Sequence, residues 1–299
     1  MSKRIVFTFA TGAPQYTDMA LGLGLSLSLH HSETKRVLIT DRKPENGRAD
    51  RLLPLAFDEL IEPPKNFSHW FIKLCMLQET DADQILFIDS DGLALRNIDG
   101  VFDELAGTKF CVQGAWRSDF TQWYGDINGA MKKLGLESIP QFNGGLIYYE
   151  RCDEVRQLIM ESLAMAERFD DLGLKRLNGR VTEEVCISLA MATTGIGKVV
   201  PMSRAYSVTP WMMRGKKRLD VVAGECSFVK VVDRPRAFSP MIYHTAQAKW
   251  DIDYWRELNR ILRMHDDVVR LGVDRDTPKI PFQKFKRVAV MLYRKMIGL

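Results

Sequence analysis

Short, wholly apolar runs alternate along the chain with longer stretches of helical spacing. RIVFTFA (4–10), RVLIT (36–40) and QILFI (84–88) are rich in β-branched and aromatic residues and bounded by polar or turn-forming ones, which predicts strands buried on both faces. Between the first two, residues 16–29 place Leu21, Leu25 and Leu29 four apart, predicting a helix whose face takes Met19 and Leu27 poorly. Gly22 and Gly24 within it point to close packing on a sheet. Residues 68–79, with Trp70, Leu74 and Leu77 on one stripe, predict a second helix. Further strands are expected at 109–116, 142–150 and 239–244, and helices at 153–167, 182–193, 251–265 and 282–297. Strands alternating with helices predict an α/β protein with a mostly parallel central sheet flanked by helices.

In such a sheet, ligands gather beyond the carboxyl ends of the strands. QILFI ends there in Asp89-Ser90-Asp91, two carboxylates on the same side of an extended segment. That pair suits a hard divalent cation, since Mg²⁺ or Mn²⁺ takes one or two carboxylates together with phosphate oxygens. The plain alternative is an acidic turn closed by Asp91-Gly92. An EF-hand is excluded, because its loop needs Gly sixth and Glu twelfth and the chain has Ala94 and Gly100 there. A dehalogenase-type phosphatase, with Asp89 as nucleophile and Asp91 as acid, also carries such a strand end. Leu93 stands where that family has Thr, and about eighty residues of α/β pattern precede the motif, whereas the family carries it on the first strand.

Composition changes this picture little. Of 299 residues, 46% are hydrophobic and 27% charged, which supports a folded core and excludes general disorder. A net charge of +4 gives no argument for nucleic acid, and no run of about 18 apolar residues marks a membrane span. MSKRIVFTFATG reads as a first strand rather than a signal peptide. Five scattered cysteines without a CxxC pair suit reduced thiols in the cytoplasm rather than zinc or a disulfide framework.

IDSDG after a buried strand, FNGGLIYYE about fifty residues later and HTAQAKW near residue 250 together resemble a GT-A glycosyltransferase. The pattern is most similar to family 8, which includes lipopolysaccharide galactosyltransferases and glycogenin. That family shows a strand-end DxD, an FNSG-type strand, a DQ-type helix start and a late HxxGxxKPW. The resemblance implies a GT-A nucleotide-diphospho-sugar transferase fold, with Asp89, Asp91 and His244 holding Mn²⁺ (or Mg²⁺). It implies that Ser90, Gly144 and Lys249 line a UDP-sugar donor, that Thr8, Ala10, Thr11 and Tyr16 hold base and ribose, and that Lys73 reaches a phosphate. The resemblance also implies that Asn143, Glu183 and Glu184 take the catalytic positions around the transferred sugar. The structural alternatives are a β-bulge at the glycines, an acidic first helical turn capped by Thr182, a strand-end cap at His244 and a solvent-facing helix lysine at Lys73. HTAQAKW is one residue shorter than the family pattern and lacks its glycine and proline, and Glu183-Glu184 replaces the DQ pair.

Residues 279–299 combine six basic residues and no acid with apolar positions at helical spacing, which suits an interfacial helix on an anionic membrane or a final helix packed on the body. The expected organisation is a catalytic domain over 1–265, divided into a nucleotide-sugar half (1–125) and an acceptor half (126–265), with a basic extension at 266–299. The expected activity is transfer of a hexose from a UDP-sugar to a glycan or lipid-linked acceptor, with retention, by a cytoplasmic protein peripheral at the inner membrane face. A non-catalytic nucleotide-sugar-binding protein is the other reading of the same motifs.

Overall fold

The computed structural model describes residues 2–42, 47–65, 70–121, 123–204, 206–208, 217–228, 240–245 and 251–270. Its centre is a seven-stranded sheet built from β1 (Arg4–Ala10), β2 (Lys35–Thr40), β3 (Glu59–Ile61), β4 (Gln84–Ile88), β6 (Phe110–Arg117), β7 (Ile139–Glu150) and β8 (Lys198–Val200). The strand order is β3-β2-β1-β4-β7-β6-β8, and only β7 runs against the others. The sheet is therefore mostly parallel. Every residue of β4 is buried, and Phe7 and Phe87 meet across the ladder with ring centroids 5.1 Å apart. Full burial of each such side chain contributes about 1.5–3 kcal/mol, which is why these strands read as unbroken apolar runs.

Helix α1 (Pro14–Leu29) starts with Pro at its first turn and is buried almost all round, Met19 and Leu27 included. Its glycines serve helix packing more than sheet packing. A Cβ on Gly22 would lie 2.2 Å from Leu258 of α8 (Ile252–Arg270), and one on Gly24 would lie 2.7 Å from the Ala56 carbonyl of α2 (Arg48–Ala56). The helix expected over 68–79 is instead a 3₁₀ turn (Phe71–Leu74) followed by the single turn of α3 (Met76–Glu79). Long-range donors claim the carbonyls here: Tyr149 Oη donates to Lys73 at 3.0 Å, and Arg151 to Leu77 and Ala82, both at 2.9 Å.

A second, three-stranded sheet joins β5 (Gly92–Ala94), β12 (Ile242–His244) and β9 (Ser207–Val208). Helix α6 (Asp153–Glu167) packs beside α7 (Glu183–Thr194), and α7 packs against β7. The hydrophobic core extends from β1 and β2 through β7 to α6 and α7. No helix among the described residues is long and apolar enough to cross a membrane. The expected helix at 282–297 lies outside the described residues.

Candidate functional site

The two aspartates leave the sheet where β4 ends. The Asp89 N–H donates to the Gly145 carbonyl at 3.0 Å, extending the β4–β7 ladder by one rung, and the Gly92 N–H donates to the Asp89 carbonyl at 2.9 Å. The resulting tight turn feeds β5. Strand β12 runs antiparallel to β5 with His244 opposite Gly92, and the Thr245 N–H donates to the Asp91 carbonyl at 3.2 Å. A strand pairing that spans about 150 residues of chain thus sets the imidazole beside the carboxylates. His244 Nε2 lies 3.0 Å from Asp91 Oδ1 and 3.5 Å from Asp89 Oδ2. One ligand atom from each of the three residues falls within 4.8 Å of the others.

The charges there are strongly mutual. Burial disfavours a charged His244, but Asp91, by charge and hydrogen bond, and then Asp89 outweigh it and raise its pKa above the usual 6.5. Burial also pushes Asp91 up, and His244 overcomes it, so its pKa lies below the ordinary 3.8. At Asp89 burial prevails over Lys73 and His244, and the pKa is raised. Two carboxylates and an imidazole form a donor set that fits Mn²⁺ or Mg²⁺. The electron pair facing the aspartates becomes available when the imidazolium gives up that proton.

On the other side of Asp89 sits Lys73. The lysine is buried, its Nζ 2.6 Å from Glu183 Oε1, 3.2 Å from Asp89 Oδ1 and 3.1 Å from the Gly144 carbonyl, over the Phe87 ring at 5.1 Å. Burial lowers a lysine pKa, but Asp89 and then Glu183 more than reverse this, and the ammonium stays charged. Lys73 is therefore not a solvent-facing helix lysine. Glu183 and Glu184 open α7, with Thr182 at the N-cap, but the Thr182 hydroxyl makes no capping bond. Glu184 accepts from the Gly144 N–H and from Tyr124 Oη, both at 2.6 Å. Burial and the neighbouring Glu183 raise the Glu184 pKa against these two bonds. Tyr124 was not legible from sequence, because nothing in TQWYG ties it to a residue sixty positions on.

FNGG lies where β7 departs from regular pairing. Its register with β6 shifts between Val112 and Gly114, so that Asn143 to Leu146 face a single β6 residue, while β7 keeps its ladder with β4. The bulge and the site thus coincide, as bulges often do. Asn143 Oδ1 accepts from the Gly145 N–H at 3.0 Å. The remaining predicted residues are more dispersed. Thr8 is buried within β1 and its hydroxyl has no hydrogen-bond partner among the described residues, Ala10 ends that strand, and Thr11 follows it half-buried. Tyr16 is exposed on the first turn of α1, and Ser90 is half-buried between the aspartates. Lys249 and residues 279–299 lie outside the described residues.

No protein-family model matches the sequence, and no curated protein matches it. Solved structures do match in three dimensions. Galactosyltransferase LgtC, in complex with donor and acceptor sugar analogs, superposes with a TM-score of 0.56 at 16% identity, covering 92% of this chain and 98% of LgtC. The bifunctional glycosyltransferase WbbM gives 0.57 at 14% identity, over 87% of this chain and 50% of WbbM. The glycosyltransferase GlyE of Streptococcus pneumoniae TIGR4 gives 0.54 at 14%, over 91% of this chain and 64% of GlyE. With its order of strands and its acidic strand end, the chain has the GT-A glycosyltransferase fold, in a form resembling family 8.

Proposed function

We propose that this protein is a metal-dependent glycosyltransferase that moves a hexose from a UDP-sugar to a glycan or lipid-linked acceptor with retention at the anomeric carbon. The observation that carries the reading is the convergence of Asp89, Asp91 and His244 at the carboxyl end of β4 in a GT-A sheet. Asp89, Asp91 and His244 would hold a divalent cation, which would supply positive charge to a departing diphosphate. Lys73 holds the Asp89 and Glu183 side chains at fixed separation. Glu183, freed from solvent, stabilises positive charge developing on the sugar. Glu184, held from both sides by Tyr124 and Gly144, fixes the first turn of α7 against β7. Thr8, Ala10, Thr11, Tyr16, Ser90 and Lys249 complete the donor site, with residues 1–125 forming the nucleotide-sugar half and 126–265 the acceptor half. Retention and the choice of uridine rest on the family resemblance.

The phosphatase reading gains no support, since Asp89 ends the fourth strand of a GT-A sheet and its carboxylate faces Lys73 and His244. The test is UDP-sugar binding and hydrolysis with and without Mn²⁺. Mn²⁺-dependent binding and turnover are expected. Absence of UDP binding in both conditions would rule out the transferase, and tight binding without turnover on any acceptor would leave a binding protein. Residues 279–299 extend the proposal to the anionic inner face of the membrane. The full chain should sediment with anionic vesicles and a chain ending at 278 should not; indifference of the full chain to such vesicles would overturn this part.

A further inference from the structure

Gly145 lies within β7, and its backbone is not in the left-handed region that singles out glycine. Conformation therefore gives no reason for a glycine there, but space does. A Cβ at Gly145 would lie 2.3 Å from His244 Nδ1 and 2.4 Å from His244 Cε1, far inside any tolerable contact. The imidazole occupies the space that a side chain at this position would take. The same residue donates its N–H to Asn143 Oδ1 at 3.0 Å and accepts the Asp89 N–H at 3.0 Å.

A metal-bound histidine ordinarily has its ring aimed by a hydrogen bond from the nitrogen that faces away from the metal. His244 lacks that device. Nε2 faces the aspartates, and the buried Nδ1 has no hydrogen-bond partner among the described residues. Once a cation takes the place of the Nε2–Asp91 hydrogen bond, the ring's direction has to be held at its other edge, and there Nδ1 and Cε1 occupy the space that a side chain on Gly145 would fill.

We infer that Gly145 is a positioning residue for the metal centre: its missing side chain is the seat that aims the His244 imidazole at Asp89 and Asp91, while its carbonyl fixes the Asp89 backbone. Asn143, which accepts the Gly145 N–H, then acts on the metal site by pinning Gly145. This inference rests on the proposal that Asp89, Asp91 and His244 bind a divalent cation.

The test is a double-mutant cycle on the full chain with Gly145→Ala, His244→Ala and the pair, reading Mn²⁺ affinity by electron paramagnetic resonance and stability by urea unfolding. Ligand distances must hold within about 0.2 Å, so displacement of the ring by a methyl group should weaken Mn²⁺ binding roughly 10–100-fold. In the His244→Ala background the same methyl group meets no ring, and Gly145→Ala should cost less than about threefold more. Wild-type Mn²⁺ affinity in Gly145→Ala, or an undiminished further loss in the His244→Ala background, would overturn the inference. If Gly145→Ala alone does not fold, recovery of folding in the pair supports the seat, and failure of the pair to fold counts against it. A wild-type protein that binds no Mn²⁺ sinks the metal proposal instead, and the urea arm still decides whether Gly145 and His244 are coupled.

Discussion

Asp89 stands between two regions that answer its charge in different ways. On one side the Lys73 ammonium bridges Asp89, Glu183 and the Gly144 carbonyl, with the lysine and Glu183 side chains only 6% and 7% exposed. On the other, Asp91 and His244 complete a three-ligand cluster in which both aspartates keep more than a fifth of their side-chain surface in solvent, 23% for Asp89 and 22% for Asp91. The Lys73–Glu183 pair is sealed, whereas the other region opens to solvent at its two aspartates, with His244 buried behind them. A cation tied to the chain can be buried during folding because its partners arrive with it, whereas an exchangeable cation needs a path to water. Under the proposed function, the buried ion pair anchors the site and the aspartate–histidine cluster receives the cation, and the two share a carboxylate.

The largest effect should come from breaking the sealed region. Lys73→Met leaves Asp89 and Glu183 without their cation and should cost about 3–5 kcal/mol in urea unfolding. The double variant Lys73→Met/Glu183→Met should lose much less, since an apolar pair replaces a broken ion pair. Equal losses would show that the lysine packs rather than pairs. Breaking the open region should remove chemistry at a smaller cost in stability. Asp91→Asn is expected to lower Mn²⁺-dependent UDP-sugar hydrolysis roughly 10²–10³-fold, with a stability loss clearly below that of Lys73→Met, since His244 loses one of its two carboxylate partners and keeps Asp89. A stability loss as large as that of Lys73→Met would erase the contrast. Tyr124→Phe, which deletes one of the two donors to Glu184, should cost about 1–3 kcal/mol of stability. A Tyr124→Phe protein of wild-type stability would detach α7 from the sealed region.

The smallest effect lies outside both. His265 is buried on α8, with Nδ1 2.9 Å from the Ile261 carbonyl, and burial depresses its pKa below 6.5 despite that bond. The unfolded chain then binds a proton below about pH 6.5 that the folded chain refuses, so stability is full above that pH. It declines as pH falls from there toward the depressed value, by at most about 1.4 kcal/mol per pH unit. His265→Leu should flatten this part of the urea midpoint against pH curve between 7.5 and 5.5. An unchanged slope would assign the acid sensitivity to other groups, the two regions around Asp89 included.

The sequence disclosed much of this arrangement and concealed its centre. β1 and β4 coincide with the apolar runs 4–10 and 84–88, and α6 with the expected helix 153–167, because burial on both faces or along one stripe is written directly in residue type. Short elements such as β5 and β9 carry too few residues for a periodic signal. The spacing over 68–79 predicts a helix where the chain has a 3₁₀ turn and a single helical turn, because apolar periodicity cannot register the distant donors that take the Lys73 and Leu77 carbonyls. At the site, the local motifs disclosed candidate chemistry at Asp89, Asp91 and His244, but not the burial of Lys73 or the reach of Tyr124.

What the sequence by itself determined is the class of sheet, the strands that form its middle and the acidic end of β4, since each follows from side-chain polarity at neighbouring positions. Only the tertiary structure decided that His244 comes beside Asp91, that Lys73 is sealed between Asp89 and Glu183, and that Gly145 is empty where an imidazole lies. These are contacts between segments tens to more than a hundred residues apart. Residue type states what a group can do, and strand pairing and packing decide which groups meet.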